Sequence, residues 1–369
     1  MESLTGIHNH SWFGENLTMQ PNVTIVLPVY NVEQYLRECL DSVVNQTMRE
    51  IQIVCVNDGS TDGSLAILEE YAVKDSRITV INQENQGAGS ARNAAFPHIK
   101  GKYTYFVDPD DWIDLHLCEK LFKYAEEHQA EIVYLGMVYV HNLRSGAYHK
   151  RDLLHKRAEA ATLMPLEERK KQLIPFTATC YRFWLSDFIV KNHITFSEGK
   201  RPFEDVIQNW KGVVYAEKIA VFDEWLYYYR IREGSHSTAY DNNKILTVFT
   251  VNDEIKQFLH QTSCFEEFRE QYFDSLFNHI LDNHIRSPVY LQKLLFSLTL
   301  ERFGNDEQIY AKRPLGLCLS PRIIYLRKVF SCKDKRYPSY FYYTLLLRLR
   351  LTPAFAKRFV RNVVYKLFA

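Results

Sequence analysis

Four apolar runs in the first third of the chain each break off into a polar segment, and the stretches that follow them carry helical signals. The first run, 23–29, is nearly continuous and broken by Pro28, the pattern of a strand buried on both faces. Asn31 and Gln34 then predict a helix cap, and Tyr35, Leu36, Cys39, Leu40, Val43 and Val44 recur at helical spacing. A second strand, 51–56, runs into Asn57-Asp58-Gly59-Ser60-Thr61-Asp62-Gly63, and a helix follows with Leu65, Leu68 and Tyr71 on one stripe. A third strand at 78–81, the segment Gln86 to Asn93 and a strand beginning at Tyr103 complete a βαβαβαβ alternation. Such a pattern predicts an α/β fold, an open and mostly parallel sheet with right-handed crossovers. Ligands bind such sheets outside the carboxyl ends of the strands, which is where the segments around Tyr30, Asp58 and Asp110 fall.

The fourth strand ends in Val-Asp-Pro-Asp-Asp-Trp, which places Asp108, Asp110 and Asp111 side by side. Three like charges this close repel unless a cation lies between them. Hard oxygen ligands suit Mg²⁺ or Mn²⁺, which take one or two carboxylates and complete their shell with phosphate oxygens and water. On its own the run reads equally well as an Asp/Pro turn leading into a helix start, where acidic groups favour the dipole.

Four segments in order, 23–31 (Val-Thr-Ile-Val-Leu-Pro-Val-Tyr-Asn), 56–64 (Val-Asn-Asp-Gly-Ser-Thr-Asp-Gly-Ser), 85–93 (Asn-Gln-Gly-Ala-Gly-Ser-Ala-Arg-Asn) and 106–112 (Phe-Val-Asp-Pro-Asp-Asp-Trp), resemble the successive signatures of family 2 glycosyltransferases. The resemblance covers roughly the first third of the chain. It implies the GT-A fold, a Rossmann-like, mostly parallel sheet flanked by helices. Phe203-Glu204-Asp205 resembles the acidic element of that family, and 227–237 resembles the aromatic and arginine segment that closes its catalytic domain. The family usually has Asp where this chain has Asn57, often Ser where it has Pro109, and more often an aliphatic residue at His236.

The resemblance assigns roles to matched positions. Asp58 would read the nucleobase through the uracil edge, with Pro28 and Tyr30 as the wall of its pocket. Asp110 and Asp111 match the carboxylate pair, one near the ribose and one on Mn²⁺ or Mg²⁺, with Asp111 expected as the direct ligand and Asp108 in support or capping the turn. Asp205 is the expected base, in a helix predicted over 203–213 whose first turn holds Glu204 and Asp205, with Glu204 orienting the acceptor. A base placed for in-line attack implies a single displacement with inversion, while the cation stabilises the leaving diphosphate. Arg92 faces either the donor or a salt bridge on the surface. Arg230 and Arg232 follow an aromatic strand beside Gly234, with Arg232 the stronger candidate to close over the diphosphate. His236 is a candidate extra metal ligand or a structural residue. Trp184 is read as an acceptor platform or, more ordinarily, as core. Gly87 and Gly89 lack the third glycine of a dinucleotide fingerprint.

At 369 residues and 46% hydrophobic, the chain buries a substantial core and is not disordered. Its seven cysteines show no paired spacing and read as reduced, buried thiols. No signal peptide is read at the N-terminus, so a cytoplasmic enzyme is expected. The organisation expected is an extension at 1–20, a catalytic domain at 21–239 (nucleotide-sugar half 21–140, acceptor half 141–239), a helical subdomain at 240–320 and a basic tail at 321–369. Within the subdomain, aromatics at helical spacing run from Lys244 to Leu300.

The net charge of +1 conceals an asymmetry: twelve Lys and Arg against one acid from Pro321 onward, leaving 33 basic against 43 acidic residues in the body. The apolar runs of the tail are too short to span a bilayer. Basic residues interleaved with aromatic and aliphatic ones suit a helix pair lying on an anionic leaflet, with docking on the acidic body as the alternative. Nucleic acid is not an expected partner. The sequence thus predicts a peripheral enzyme on the inner face of the cell membrane. It would move a sugar from a UDP-sugar to a glycan or lipid-linked glycan in bacterial capsule, exopolysaccharide or lipopolysaccharide synthesis. The competing reading is a catalytically silent nucleotide-sugar-binding or scaffold subunit, against which Asp58, Asp110, Asp111 and Asp205 together argue.

Overall fold

A computed structural model describes residues 20–142, 147–151, 170, 178–231 and 242–286. The parallel half follows the alternation predicted: β1 (Val23–Val29), α1 (Glu33–Val44), β2 (Ile51–Asp58), α2 (Ser64–Lys74), β3 (Ile78–Gln83), α3 (Ala88–Ala95) and β4 (Tyr103–Phe106). β1 is buried along its whole length and pairs in parallel with β2 on one side and β4 on the other, while β3 joins β2. Pro28 lies inside this strand, buried, four positions after the polar Thr24, whose hydroxyl donates to Gln52.

The rest of the sheet is antiparallel or mixed. After β5 (Trp112–Ile113) and α4 (Leu117–His128) come β6 (Ile132–Asn142), β7 (Ala147–Arg151), β8 (Arg182–Leu185), α5 (Ser186–Lys191), α6 (Val206–Tyr215) and β9 (Ile219–Arg230). The strands lie in the order β3-β2-β1-β4-β8-β6-β9-β5, with β7 on β6. β8 is the hinge of this arrangement, antiparallel to both β4 and β6. β9 returns parallel to β6 and carries the aromatic run at 227–229 towards β5, with which it pairs antiparallel. The carboxylate turn between β4 and β5 is therefore held from two directions.

Trp184 is core: it sits on strand β8, fully buried, and a Cβ on Gly212 of α6 would meet its ring at 2.6 Å. The four thiols of Cys39, Cys55, Cys118 and Cys180 are free and buried. The aromatic periodicity beyond residue 244 forms two helices, α7 (Asn242–Gln261) and α8 (Phe265–Arg286). They pack on α6 through Tyr215 against Phe258 and Trp210 against Phe268. Among the described residues no helix is long and apolar enough to cross a membrane. The extension at 1–19, most of 142–171, and the region from 287 through the basic tail lie outside the described residues.

Two helix starts differ from their predicted positions. α1 begins at Glu33, with no side-chain cap. Asn31 is instead in a left-handed conformation (φ 48°), its side chain drawn across to the next loop, where its Oδ1 accepts the Thr61 N–H at 2.7 Å. α6 begins at Val206 rather than 203, because Phe203 has φ 65°, which no right-handed helix accommodates. Glu204 thus precedes the helix and Asp205 occupies its N-cap position.

Candidate functional site

The loops after β1 and β2 are stitched to each other. The Asn31 and Val32 N–H groups donate to the hydroxyls of Ser60 and Ser64, the Glu33 N–H to Asp62, and Gly63 N–H to the Glu33 carboxylate. This leaves the Tyr30 side chain standing out from the sheet, 42% exposed. Asp58, at the end of β2, is only 2% exposed. Its Oδ1 accepts from Gln83 Nε2 (2.7 Å) and the Gln86 N–H (2.8 Å), and its Oδ2 accepts the Gly87 N–H (2.8 Å). A carboxylate offers about four acceptor sites, so one on Oδ2 remains for a ligand N–H. Asn57 bridges in the same way, donating to Asn82 at 3.0 Å and accepting the Ser60 N–H at 3.2 Å.

Asp108 to Asp111 form a tight turn closed by the Asp111 N–H on the Asp108 carbonyl at 3.0 Å, with Pro109 at its second position, where a fixed φ suits it. Within this turn the three carboxylates face different surroundings. Asp111 is 1% exposed; the Tyr227 hydroxyl donates to Oδ2 and the Arg230 N–H donates to Oδ1 at 2.8 Å. Burial, then the neighbouring charges of Asp110 and Asp108, push its pKa well above the usual carboxylate range against those two hydrogen bonds. Asp108 is partly exposed and ion-paired, and Asp110 is partly exposed. Arg230 is buried beneath the turn as a clamp, its Nε donating to the Asp110 carbonyl at 2.8 Å and its Nη2 to Glu38 at 2.6 Å. Its guanidinium lies 4.7 Å from the Trp112 ring and 5.0 Å from that of Tyr35.

Arg92 joins this turn to the loop before α6. It rises from α3, nearly fully buried, and donates from Nη2 to Asp108 Oδ1 at 2.7 Å and from Nη1 to Glu204 Oε1 at 2.8 Å. Of its two expected settings, a salt bridge is the one observed, in the interior rather than on the surface. Beside Glu204, the Asp205 carboxyl makes no side-chain cap bond to its own helix. Burial first, then the Glu204 charge, push its pKa up to about 7, with Arg182 and Arg92 opposing. A buried carboxyl whose pKa is raised to about 7 suits a general base.

Among the described residues no group of three or more His, Cys, Asp or Glu side chains converges on a single metal position. A Mg²⁺ or Mn²⁺ ion that shares substrate phosphates needs only one or two carboxylates. Asp108, Asp110 and Asp111 supply such carboxylates from one turn: Asp108 and Asp110 are partly exposed, while Asp111 is 1% exposed and accepts one hydrogen bond on each oxygen. Arg232 and His236 lie outside the described residues.

Arg182 escaped the sequence reading. It is fully buried on β8 and close enough to Asp205 to hold its charge. The signal was an arginine inside the otherwise uncharged run Cys-Tyr-Arg-Phe-Trp-Leu, since a buried cation requires a buried anion nearby. Tyr227, whose hydroxyl accepts the Asp108 N–H and donates to Asp111, was visible only as one of three consecutive tyrosines.

The family model described as glycosyl transferase family 2 matches residues 24–192. Glycosyltransferase GlyG of Streptococcus pneumoniae is 31% identical over 225 residues, 59% of this chain and 73% of that protein. Glycosyltransferase GlyA of the same organism is 38% identical over 231 residues, 60% of this chain but only 32% of its own length. TarS of Staphylococcus aureus, named as a poly(ribitol-phosphate) β-N-acetylglucosaminyltransferase, is 26% identical over 262 residues, 68% of this chain and 44% of TarS. The crystal structure of TarS 1–349 in complex with UDP-GlcNAc superposes with a TM-score of 0.58 at 22% identity, covering 90% of this chain and 93% of that one, which shows a shared fold.

Proposed function

The chain belongs to glycosyl transferase family 2, and from that premise we propose that it is a metal-assisted, inverting enzyme that moves a sugar from a UDP-sugar to a lipid-linked glycan of a bacterial surface polymer. The observation that carries this reading is the pair of ion bridges from the nearly fully buried Arg92 to Asp108 and Glu204, which ties the carboxylate turn to the residue before the Asp205 N-cap. The binding of UDP-GlcNAc by TarS, with the same fold, supports a UDP-sugar as donor.

In this account the Asp58 carboxylate offers its remaining lone pair to the imide N–H of uracil, and the exposed Tyr30 ring covers the base. Asp110, assisted by Asp108, would hold Mn²⁺ or Mg²⁺, and a cation bound there supplies positive charge to the departing diphosphate. Asp111 keeps the turn in shape through Tyr227 and the Arg230 N–H. Arg92 fixes Glu204, and so the backbone on which Asp205 stands. Asp205 takes the proton of the acceptor hydroxyl as that oxygen attacks the anomeric carbon from the face opposite the leaving group. An α-linked donor then gives a β-linked product.

Calorimetric titration with UDP, GDP, CDP and dTDP, with and without Mn²⁺, tests the donor class. Selective, Mn²⁺-dependent UDP binding is expected, and equal or metal-indifferent binding of all four would contradict it. Proton NMR of the product tests inversion, since an α-linkage from an α-donor would exclude the single displacement. The basic tail is proposed to rest on anionic lipid. Removing residues 321–369 should abolish sedimentation with phosphatidylglycerol vesicles, and unchanged sedimentation would rule that out.

A further inference from the structure

The loop from Phe196 to Asp205 lies beyond the segment matched by the family model, which ends at residue 192, and it leads straight into the candidate base. Its conformation is unusual along its length, with φ 94° at Gly199 and φ 65° at Phe203. A non-glycine residue with positive φ persists only where its surroundings hold it. Within the loop the Ser197 N–H donates to the Glu204 carbonyl (2.9 Å) and the Arg201 N–H to the Gly199 carbonyl (2.9 Å).

The surroundings come from two sides. On the donor side, Asn93 exchanges hydrogen bonds with both backbone groups of Phe196 (2.9 and 3.0 Å), and Ser90 Oγ accepts the Gly199 N–H at 3.1 Å. Gly89 allows α3 to come this close, because a Cβ there would stand 2.1 Å from the Ser197 carbonyl oxygen and 3.0 Å from Glu204 Cβ. On the other side stands the helical hairpin. Glu254 of α7 accepts from Ser197 Oγ on Oε2 and from Arg201 Nη2 on Oε1, both at 2.6 Å. His279 of α8 packs its ring 5.6 Å from that of Phe203. One carboxylate thus takes hold of two loop residues four positions apart, with one oxygen each, at the start of the segment that sets where Asp205 stands.

We propose that Glu254 is a positioning residue for the transfer reaction: through Ser197 and Arg201 it holds the base-bearing loop in register with the acceptor, making the helical hairpin a working part of the site. This rests on Asp205 being the base, as argued above. Glu254 does not reach the donor loops, so its loss should act on turnover and leave donor binding alone. A merely stabilising contact would lower the melting temperature without that split.

The test uses the full chain carrying Glu254→Gln, Glu254→Asp or Ser197→Ala. Hydrogen exchange followed by mass spectrometry should show peptides over 196–206 exchanging at least about fivefold faster in E254Q, less so in S197A, while peptides from β1 to β4 stay as in the wild type. With a UDP-sugar that the wild type turns over, kcat should fall about tenfold in E254Q, the size expected of a base displaced by a fraction of an ångström, with UDP affinity in Mn²⁺ unchanged and E254D recovering part of the loss. Should E254Q fail to fold, S197A keeps both measurements open. Unchanged exchange over 196–206, or wild-type kcat in a folded E254Q, would overturn the proposal. A wild type that turns over no UDP-sugar would count against the transferase reading, and the exchange result would still decide whether Glu254 holds the loop.

Discussion

At the carboxyl ends of β1, β2 and β4 the polar groups hold one another: Asp58 accepts from Gln83 at the end of β3 and from the Gln86 and Gly87 N–H groups after it, Asp111 accepts from Tyr227 and Arg230, and the loops after β1 and β2 are laced by Asn31, Asp62 and Glu33. At the start of α6 Asp205 has no capping bond, and the loop before it owes its shape to residues outside it, Asn93, Ser90 and Glu254. Both regions use aspartate, yet the physics differs. Carboxylates that accept several hydrogen bonds organise backbone and fix a shape in advance, which suits recognition of a ligand. A carboxyl that is buried, crowded by Glu204 and without a cap bond to its helix retains its proton affinity, which suits proton transfer.

The sharpest way to break this contrast is Asp205→Asn. Removing a general base costs roughly 10² to 10⁴ in rate, so transfer should fall by about a thousandfold while UDP affinity stays as in the wild type. Steady-state kinetics and calorimetry on the same preparation check both halves, and a variant within tenfold of wild type would place the base elsewhere. Next in size is Arg92→Met, which strips a nearly fully buried cation from between Asp108 and Glu204. Breaking a buried pair leaves uncompensated charge and costs about 3–5 kcal/mol, visible in urea unfolding. A loss under about 1 kcal/mol would mean the two halves do not depend on this bridge for their joining.

A smaller effect sharpens the contrast through pH. An unfolded aspartate ionises near pH ~3.9, whereas folded Asp205 retains its proton up to about 7. Between those values the folded chain binds more protons than the unfolded one, so this group weakens folding progressively as pH rises through that window. The cost is absent below the unfolded value and complete above the folded one. Asp205→Asn should therefore be more stable than wild type by an amount absent near pH ~4 and largest above about pH 7. Melting temperatures across the range measure it, and a pH-independent difference would show that Asp205 is not held protonated.

The parallel half was legible because burial on both faces writes a strand as a continuous apolar run, and because polar residues at strand ends have few structural reasons to gather there. The carboxylate turn and Asp58 stand out at strand ends on that basis, whereas Arg92 and Asp205 are singled out only through the family resemblance. What escaped depended on contacts far along the chain. Asn31 has the composition of a helix cap, but the loop after β2 captures its side chain. The start of α6 shifts because Phe203 takes a conformation that His279, some seventy-six positions on, packs against. The different surroundings of Asp108, Asp110 and Asp111 are invisible in the letters Asp-Pro-Asp-Asp, since they are set by Arg92, Tyr227 and Arg230. Glu254 is one acid on a helix, and nothing local marks it as reaching Ser197 and Arg201.

The most direct measurement is calorimetry of UDP in saturating Mn²⁺ on Asp110→Asn and Asp205→Asn side by side. If the donor wall binds and the acceptor wall transfers, UDP affinity falls at least about tenfold in the first and is unchanged in the second. Equal losses in both, or none in Asp110→Asn, would contradict the division of duties on which the account rests.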